Sequence, residues 1–335
     1  MRGRVTMRDV ARQAGVSPMT VSRALKQDGS VNAATRAAVR DAAEQLGYVY
    51  DSTAQAFRAQ RSGFLAVTLP SINNANFAAT HRALTRSLAN TELQLLLGVT
   101  NYRLDEEERL VRQLLARRPE AIVLTGGHHT EATRKLLQSM DGPVFEIWDQ
   151  PHDPVDHVVG FSNADAMTMI VEHLAETGRK KFGYLGAIGD SDRRGAERRR
   201  GVLDAVKVLG LPDVTVLEAC EAPISMTAGA QAVERFARDI RELDALICVS
   251  DPVAFGAISV LTRLGVSVPG DIAVTGFGAF EVAGLSNPTI TTVDVGADRI
   301  GTELGRLVQS VLEADRDSTP INLQLTPTLI RGGSS

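Results

Sequence analysis

The stretch Val5-Thr-Met-Arg-Asp-Val-Ala-Arg-Gln-Ala-Gly-Val-Ser-Pro-Met-Thr-Val-Ser-Arg-Ala-Leu25 decides the reading of this chain. It spells two short helices joined by a tight turn. Thr6 is placed to cap the first, with Asp9 three residues on to complete the capping geometry. Val10 and Ala14 share one helical face, and Gly15 supplies the positive φ that a sharp helix exit needs. Ser17 caps the second helix and Pro18 takes its first position, where a missing N–H costs nothing. Val21, Ala24 and Leu25 then pack inward, and Pro18, Met19, Thr20, Ser22, Arg23 and Lys26 point outward. A helix, a glycine turn and a second helix with a polar face make the helix-turn-helix of DNA readers. The alternative is an αα-hairpin of any helical domain.

Charge supports the DNA reading. Residues 1–62 hold ten Lys/Arg against five Asp/Glu, a net of +5, which leaves −9 on the remainder of a chain whose total is −4. A basic head on an acidic body suits a head that meets phosphate while the body stays off it. Asn32 is placed to cap a third helix, Ala33 to Leu46, ended by Gly47; Val39, Ala42, Ala43 and Leu46 would close a three-helix head. Residues 48–62 form a connector in which Ala54, Phe57 and Arg58 share a helical face. A helix this short is unstable alone, so the segment is either an amphipathic linker or a piece that folds on DNA.

From Phe64 the pattern changes to alternating strands and helices. Apolar strands are expected at Phe64–Leu69, Leu93–Val99, Ala121–Leu124, Val144–Trp148, Val158–Phe161, Phe182–Gly186, Val214–Leu217, Ala245–Val249 and Ile272–Phe277. Helices fall between them, among them Gly195–Leu209 and Val253–Leu264. Repeated strand–helix–strand units give parallel sheets with helices on both faces. This many strands suggests two lobes, dividing near Asp149–Asp156, with a ligand cleft at the strand carboxyl ends.

No apolar run approaches the ~20 residues of a membrane span, and no signal-like segment precedes Val5, so the expected location is the cytoplasm with no membrane partner. Cys220 and Cys248 form neither a disulfide framework nor a metal-ligand spacing; Cys248, within Ala245-Leu-Ile-Cys-Val249, reads as a buried strand thiol. Adjacent histidines such as His128-His129 point apart and carry no metal reading, so no metal and no cofactor is expected. An enzyme is disfavoured: Gly276-x-Gly278 lacks the third glycine of a dinucleotide fingerprint, and there is no Gly-x-Ser-x-Gly elbow or phosphate-binding loop.

The quoted stretch resembles the head of LacI-family regulators, and Thr35-Arg36 and Leu46-Gly47-Tyr48 continue the likeness. In the body it is carried by Gly178-Arg-Lys-Lys-Phe-Gly-Tyr-Leu-Gly186, Arg198-x-x-Gly201, Ser250-Asp251 and Leu264-Gly-Val-Ser-Val-Pro-Gly-Asp-Ile-Ala-Val-Thr-Gly-Phe277. Leu69-Pro-Ser-Ile-Asn-Asn-Ala-Asn-Phe77 and Val159-Gly-Phe-Ser-Asn163 look most like the gluconate-operon repressor subgroup. The resemblance implies a helix-turn-helix head (1–49), a hinge (50–62) and a two-lobed α/β core like periplasmic binding proteins (63–335). Its first lobe would take about 63–160 with 293–320, its second about 161–292 with 321–331. It implies a homodimer reading operator DNA, one half-site per subunit, under control of a small effector in the cleft. The tetramer-forming leucine heptad of some members has no counterpart in Leu325-Thr-Pro-Thr-Leu-Ile-Arg-Gly-Gly-Ser-Ser335.

Carried over by position, the resemblance puts base reading on Pro18, Met19 and Arg23. Arginine can donate two hydrogen bonds to a guanine edge, and methionine can meet a thymine methyl. The hydroxyls of Thr6, Ser17, Thr20 and Ser22 suit phosphate oxygens, which fix register rather than sequence. The family's minor-groove leucine wedge is replaced by Phe57, itself a residue type able to wedge a base step; the other reading is a ring packed on the body. In the cleft, Arg198 lies four residues before the buried stripe that starts at Val202 and takes the family's effector-binding role, suited to carboxylate or phosphate. Arg193, Arg194, Arg199 and Arg200 read mostly as a solvated face. Asn76, Phe77, Thr125, Asp149, Ser250 and Asp251 end strands or start helices at the cleft, and each has a capping or packing role available beside a ligand role. Sugar-binding members usually place Asp after the last Gly-Phe/Tyr, whereas Gly278 follows Phe277 here. Losing that carboxylate favours an anionic effector, a sugar acid such as gluconate or its phosphate, over a neutral sugar. The competing readings are a regulator of a neutral sugar and a solute receptor without a DNA role.

Overall fold

The computed structural model describes residues 5–25, 30–49, 62–190, 192–314 and 319–335. It falls into two compact units, 1–62 and 63–335. The connector residues 50–61, Phe57 and the expected hinge helix among them, lie outside the described residues.

In the first unit, α1 (Met7–Ala14), α2 (Pro18–Leu25) and α3 (Ala33–Leu46) surround a core of Val10, Ala11, Val21, Ala24, Val31, Val39, Ala42 and Ala43. The start of α1 is fixed by the Asp9 carboxylate, which accepts from the Thr6 amide at 2.9 Å and its hydroxyl at 2.7 Å. Those bonds hold the Asp9 carboxyl below its ordinary range. Gly15 and Gly47 close α1 and α3 at φ 65°, a conformation that side chains resist. Ser17 Oγ accepts from the Thr20 amide at 3.1 Å, and Asn32 Oδ1 from the Thr35 amide at 2.8 Å.

The second unit holds two parallel sheets. The first runs β11-β5-β4-β3-β1-β2, from β1 (Phe64–Leu69), β2 (Gln94–Val99), β3 (Ala121–Thr125), β4 (Val144–Ile147), β5 (His157–Gly160) and β11 (Asn322–Gln324). Its alternation buries both faces. Leu65, Val67, Ala121 and Val123 enter the main core, while Ala66, Ile122, Leu124 and Val144 face Val111 and Leu114 of α5 (Leu104–Leu115) and Leu137 of α6 (Glu131–Gln138). The main-core face is covered by α4 (Ala75–Ser87) and α13 (Ala297–Glu313). These two approach so closely that a Cβ on Gly301 would stand 2.1 Å from the Thr80 carbonyl oxygen.

The second sheet runs β7-β6-β8-β9, from β6 (Phe182–Gly186), β7 (Thr215–Glu218), β8 (Ala245–Cys248) and β9 (Ala273–Thr275). Around it pack α7 (Asn163–Glu176), α8 (Arg193–Val208), α9 (Met226–Arg235), the short α10 (Ala237–Ile240) and α11 (Asp251–Arg263). The short α12 (Glu281–Leu285) follows β9. β10 (Thr292–Asp294) pairs antiparallel with β12 (Thr328–Ile330) in a two-stranded ribbon. The expectation that 321–331 belongs wholly to the second lobe is corrected here: β11 completes the first sheet beside β5 before the chain reaches the ribbon. Three residues are too short for their apolar pattern to say which sheet edge they will extend.

Candidate functional site

On the head, α2 presents Pro18, Met19 and Arg23 to solvent, with Met19 65% exposed, while Val21 and Ala24 anchor it beneath. The Ser17 hydroxyl lies 2.9 Å from that of Thr20. Ser17 and Thr20 thus brace the start of the helix, and Thr6 does the same for α1.

In the core, β3 ends at Thr125 and opens into Gly126-Gly127. The Thr125 hydroxyl donates to the Thr68 carbonyl at 2.8 Å and is spent on the sheet. Its carbonyl accepts from Nη1 of Arg194 at 3.0 Å, a bond from the first lobe to helix α8 of the second. A partly open cavity lies there; Thr100, Tyr102, Thr125, Asp149, Asp192 and Arg194 are among its walls. Asp149 is buried, accepting from the amides of Gly127 (3.2 Å) and Gln150 (2.9 Å). Tyr102 is held at φ 63°, where a bulky side chain is strained, and its burial lifts its phenol above the ordinary tyrosine range.

Arg198 stands one turn along α8. Nη2 meets Asp192 Oδ2 at 3.3 Å, Nη1 meets Asn163 Oδ1 at 3.3 Å, and the guanidinium lies 4.6 Å over the Phe277 ring. Gly201 lets α8 approach α7, since a Cβ there would fall 2.2 Å from the Ala164 carbonyl oxygen. The spacing Arg198-x-x-Gly201 is therefore one positioning device, a close helix crossing beneath a cleft arginine.

The other sequence candidates divide. Phe77 is buried edge-on to Trp148, with ring centroids 5.1 Å apart, and carries the Arg194 guanidinium 5.3 Å from its own centroid. Asn76 donates to the Gly278 carbonyl at 2.7 Å, tying the lobes together. Ser250 precedes α11, and Asp251 begins it, fully buried. Burial raises the Asp251 carboxyl to about 6, against the pull of the Thr292 hydroxyl and the Phe280 amide, which donates at 2.7 Å. Asn76 and Asp251 thus tie loops of the core and Phe77 packs beneath Arg194, whereas Ser250 makes no side-chain capping bond; Thr125 and Asp149 line the cavity.

Comparison with known proteins agrees with this architecture. A model described as bacterial regulatory proteins, lacI family, matches residues 6–51, and one described as a periplasmic binding protein-like domain matches 171–335. The HTH-type transcriptional regulator GntR of Pseudomonas aeruginosa is 33% identical, covering 89% of this chain and 87% of the relative. The chain belongs to the LacI family. The GntR regulator of Escherichia coli K12 is 28% identical over 99% of this chain and 98% of its own length. Among solved structures, a LacI-family regulator from Silicibacter pomeroyi superposes with TM-score 0.92 at 30% identity, over 98% of this chain and 99% of that one. The lac repressor dimer bound to operator shares the fold, with TM-score 0.85 at 21% identity and 99% coverage of both chains.

As a LacI-family member the chain is a DNA-binding transcriptional regulator, and its relatives are regulators rather than enzymes. Gly278 adopts a backbone conformation that favours glycine. Its φ is 113°, and a Cβ there would meet the Phe280 ring at 2.6 Å and the Asn76 amide nitrogen at 2.8 Å, so a side chain at this position is strained unless both neighbours shift. Among the described residues no helix is long and apolar enough to cross a membrane.

Sequence reasoning missed three features. The solvated-face reading of the flanking arginines fails at Arg194, which is 8% exposed; the same four-residue step that leads from Val202 to Arg198 leads on to Arg194. Tyr102 and Asp192 stand in no motif that marks a site. The His129 side chain is buried, with Nδ1 2.6 Å from Glu107 and Nε2 3.2 Å from Glu146, so both ring nitrogens are committed to carboxylates. Burial alone would lower its pKa, but the two carboxylates outweigh it and hold the imidazolium up to about 9. Glu107 and Glu146 lie 22 and 17 residues from it in sequence, a triad that local spacing does not reveal.

Proposed function

We propose that this regulator is a repressor acting as a homodimer, each subunit reading an operator half-site with Pro18, Met19 and Arg23, and that a small anionic polyol in the cleft controls its affinity for DNA. A sugar acid such as gluconate or its phosphate fits best. The observation that supports this reading most is the buried guanidinium of Arg194 on the cavity wall, with Arg198 one turn further along the same face of α8. Guanidinium binds carboxylate or phosphate with two parallel hydrogen bonds. The glycine at 278 supports it, because no carboxylate stands there to repel an anion. The name GntR carried by two relatives is in keeping with a gluconate-type effector. Residues 50–62, with Phe57 at the wedge position, serve in this reading as the hinge between head and core.

Thermal-shift measurement against sugar acids, their phosphates and neutral sugars tests the effector class, followed by operator titration with and without the best ligand. Stabilisation by an acid, with a matching change in operator affinity, is the expected result. Stabilisation by neutral sugars alone overturns the proposal.

A further inference from the structure

The arginines of α8 are not equivalent. Arg193 and Arg199 both face Asp190, at 3.6 and 3.1 Å, Arg198 faces Asp192 at 3.3 Å, and Arg200 pairs with Glu197. Arg194 is buried, yet among the described residues no carboxylate lies within ion-pair distance of it. Its contacts are the Thr125 carbonyl and the Phe77 ring. A carbonyl dipole and a ring quadrupole lower the cost of a buried guanidinium without neutralising it. Guanidinium does not shed its proton at any relevant pH, so the charge remains for a ligand to meet. Gly126, at φ 111°, leaves space for this group: a Cβ there would stand 3.0 Å from Arg194 Nη1.

The polar atoms nearby divide by type. Asp192, on the cavity wall, keeps Oδ1 buried and without a hydrogen-bond partner, and so does Arg198 with Nε. An acceptor and a donor on two ion-paired side chains suit a hydroxyl group, which both donates and accepts. The Asp149 carboxylate, bonded to two backbone amides, retains lone pairs for further hydroxyls.

We infer that Arg194, and not Arg198, reads the acid group of the effector, and that the Asp192–Arg198 pair with Asp149 reads its hydroxyls. The inference rests on the anionic-effector reading above and assigns the charge discrimination within it. Arg198 has its charge met by Asp192, so it contributes hydrogen bonds with little preference for a net anion. The ligand is then a polyol carboxylate, its acid end toward the Thr125–Arg194 contact and its hydroxyl chain toward Asp149 and Asp192.

The test is calorimetric titration of the full-length chain with matched pairs, gluconate against sorbitol and galactonate against galactitol. The unsubstituted protein is expected to prefer an aldonate over its alditol. Arg194→Met should reduce that preference by at least about thirtyfold, the scale of a lost buried charge pair. Arg194→Lys, which keeps the charge, should preserve most of it. Arg198→Met should weaken acid and alditol by similar factors and leave their ratio unchanged. If Arg194→Met does not fold, Arg194→Gln, which retains a donor for the Thr125 carbonyl, decides on the same ratio. An unchanged ratio in Arg194→Met or Arg194→Gln, or a ratio lost only in Arg198→Met, overturns the inference while leaving the anionic effector standing. No aldonate preference in the unsubstituted protein overturns both.

Discussion

The side-chain amide of Asn76 donates to the carbonyl oxygen of Gly278 at 2.7 Å, joining residues 202 positions apart and the two lobes of the core. Asn76 opens the first turn of α4, positioned by Asn74, whose Oδ1 accepts from the Asn76 amide at 3.0 Å. Gly278 sits in the loop that the buried Asp251 holds through the Phe280 amide. Asn76→Ala removes a donor and leaves a partly buried carbonyl unmet. It should cost about 1 kcal/mol in urea unfolding and alter effector affinity without altering operator sequence preference. Asn76→Asp, which sets a carboxylate against that carbonyl, should cost more. Equal stability of all three proteins would mean that this bond does not hold the lobes.

His129 makes stability depend on pH. Its folded pKa of about 9 lies above the free value of 6.5, so its contribution is complete below the free value and is lost as pH rises through about 9. Unfolding free energy should therefore fall between pH 7 and 9.5 relative to His129→Asn, which lacks that slope. The variant should also be destabilised near neutral pH by about 3–5 kcal/mol, because Glu107 and Glu146 are left buried without their cation. Denaturant titrations at several pH values check both.

Two substitutions in the head separate folding from reading. Ser17→Ala removes the acceptor for the Thr20 amide and should cost about 1 kcal/mol of local stability, seen as faster amide exchange across α2. Arg23 is exposed, so Arg23→Ala should leave that exchange unchanged and weaken operator binding by about 1–3 kcal/mol at fixed salt. An Arg23 variant with full operator affinity would remove it from the reading face.

Gly201→Ala tests the α7–α8 crossing. The added methyl would fall 2.2 Å from the Ala164 carbonyl oxygen, so the helices must part, at a cost of about 1–3 kcal/mol. Because Arg198 lies one turn away on α8, effector affinity should fall as well. A fully stable variant with weakened effector binding would show that the crossing serves the site alone.

The sequence by itself determined what depends on near neighbours. Thr6 with Asp9, Ser17 with Thr20, Gly15 and Gly47 all act within one helical turn, so the head and its outward row Pro18, Met19 and Arg23 could be read directly. The repeated strand–helix–strand order announced parallel sheets for a similar reason, because each apolar strand and each helical face is read within a few neighbouring residues. Only the tertiary structure decided the cleft. Whether Arg194 faces water or the Thr125 carbonyl depends on a lobe contact between residues 69 positions apart, and whether His129 is a loop histidine or a buried cation depends on two carboxylates brought from other elements. Asn76 likewise meets its partner only once both lobes are built. Burial and charge pairing are properties of assembled neighbours, and for these residues the neighbours come from distant parts of the chain.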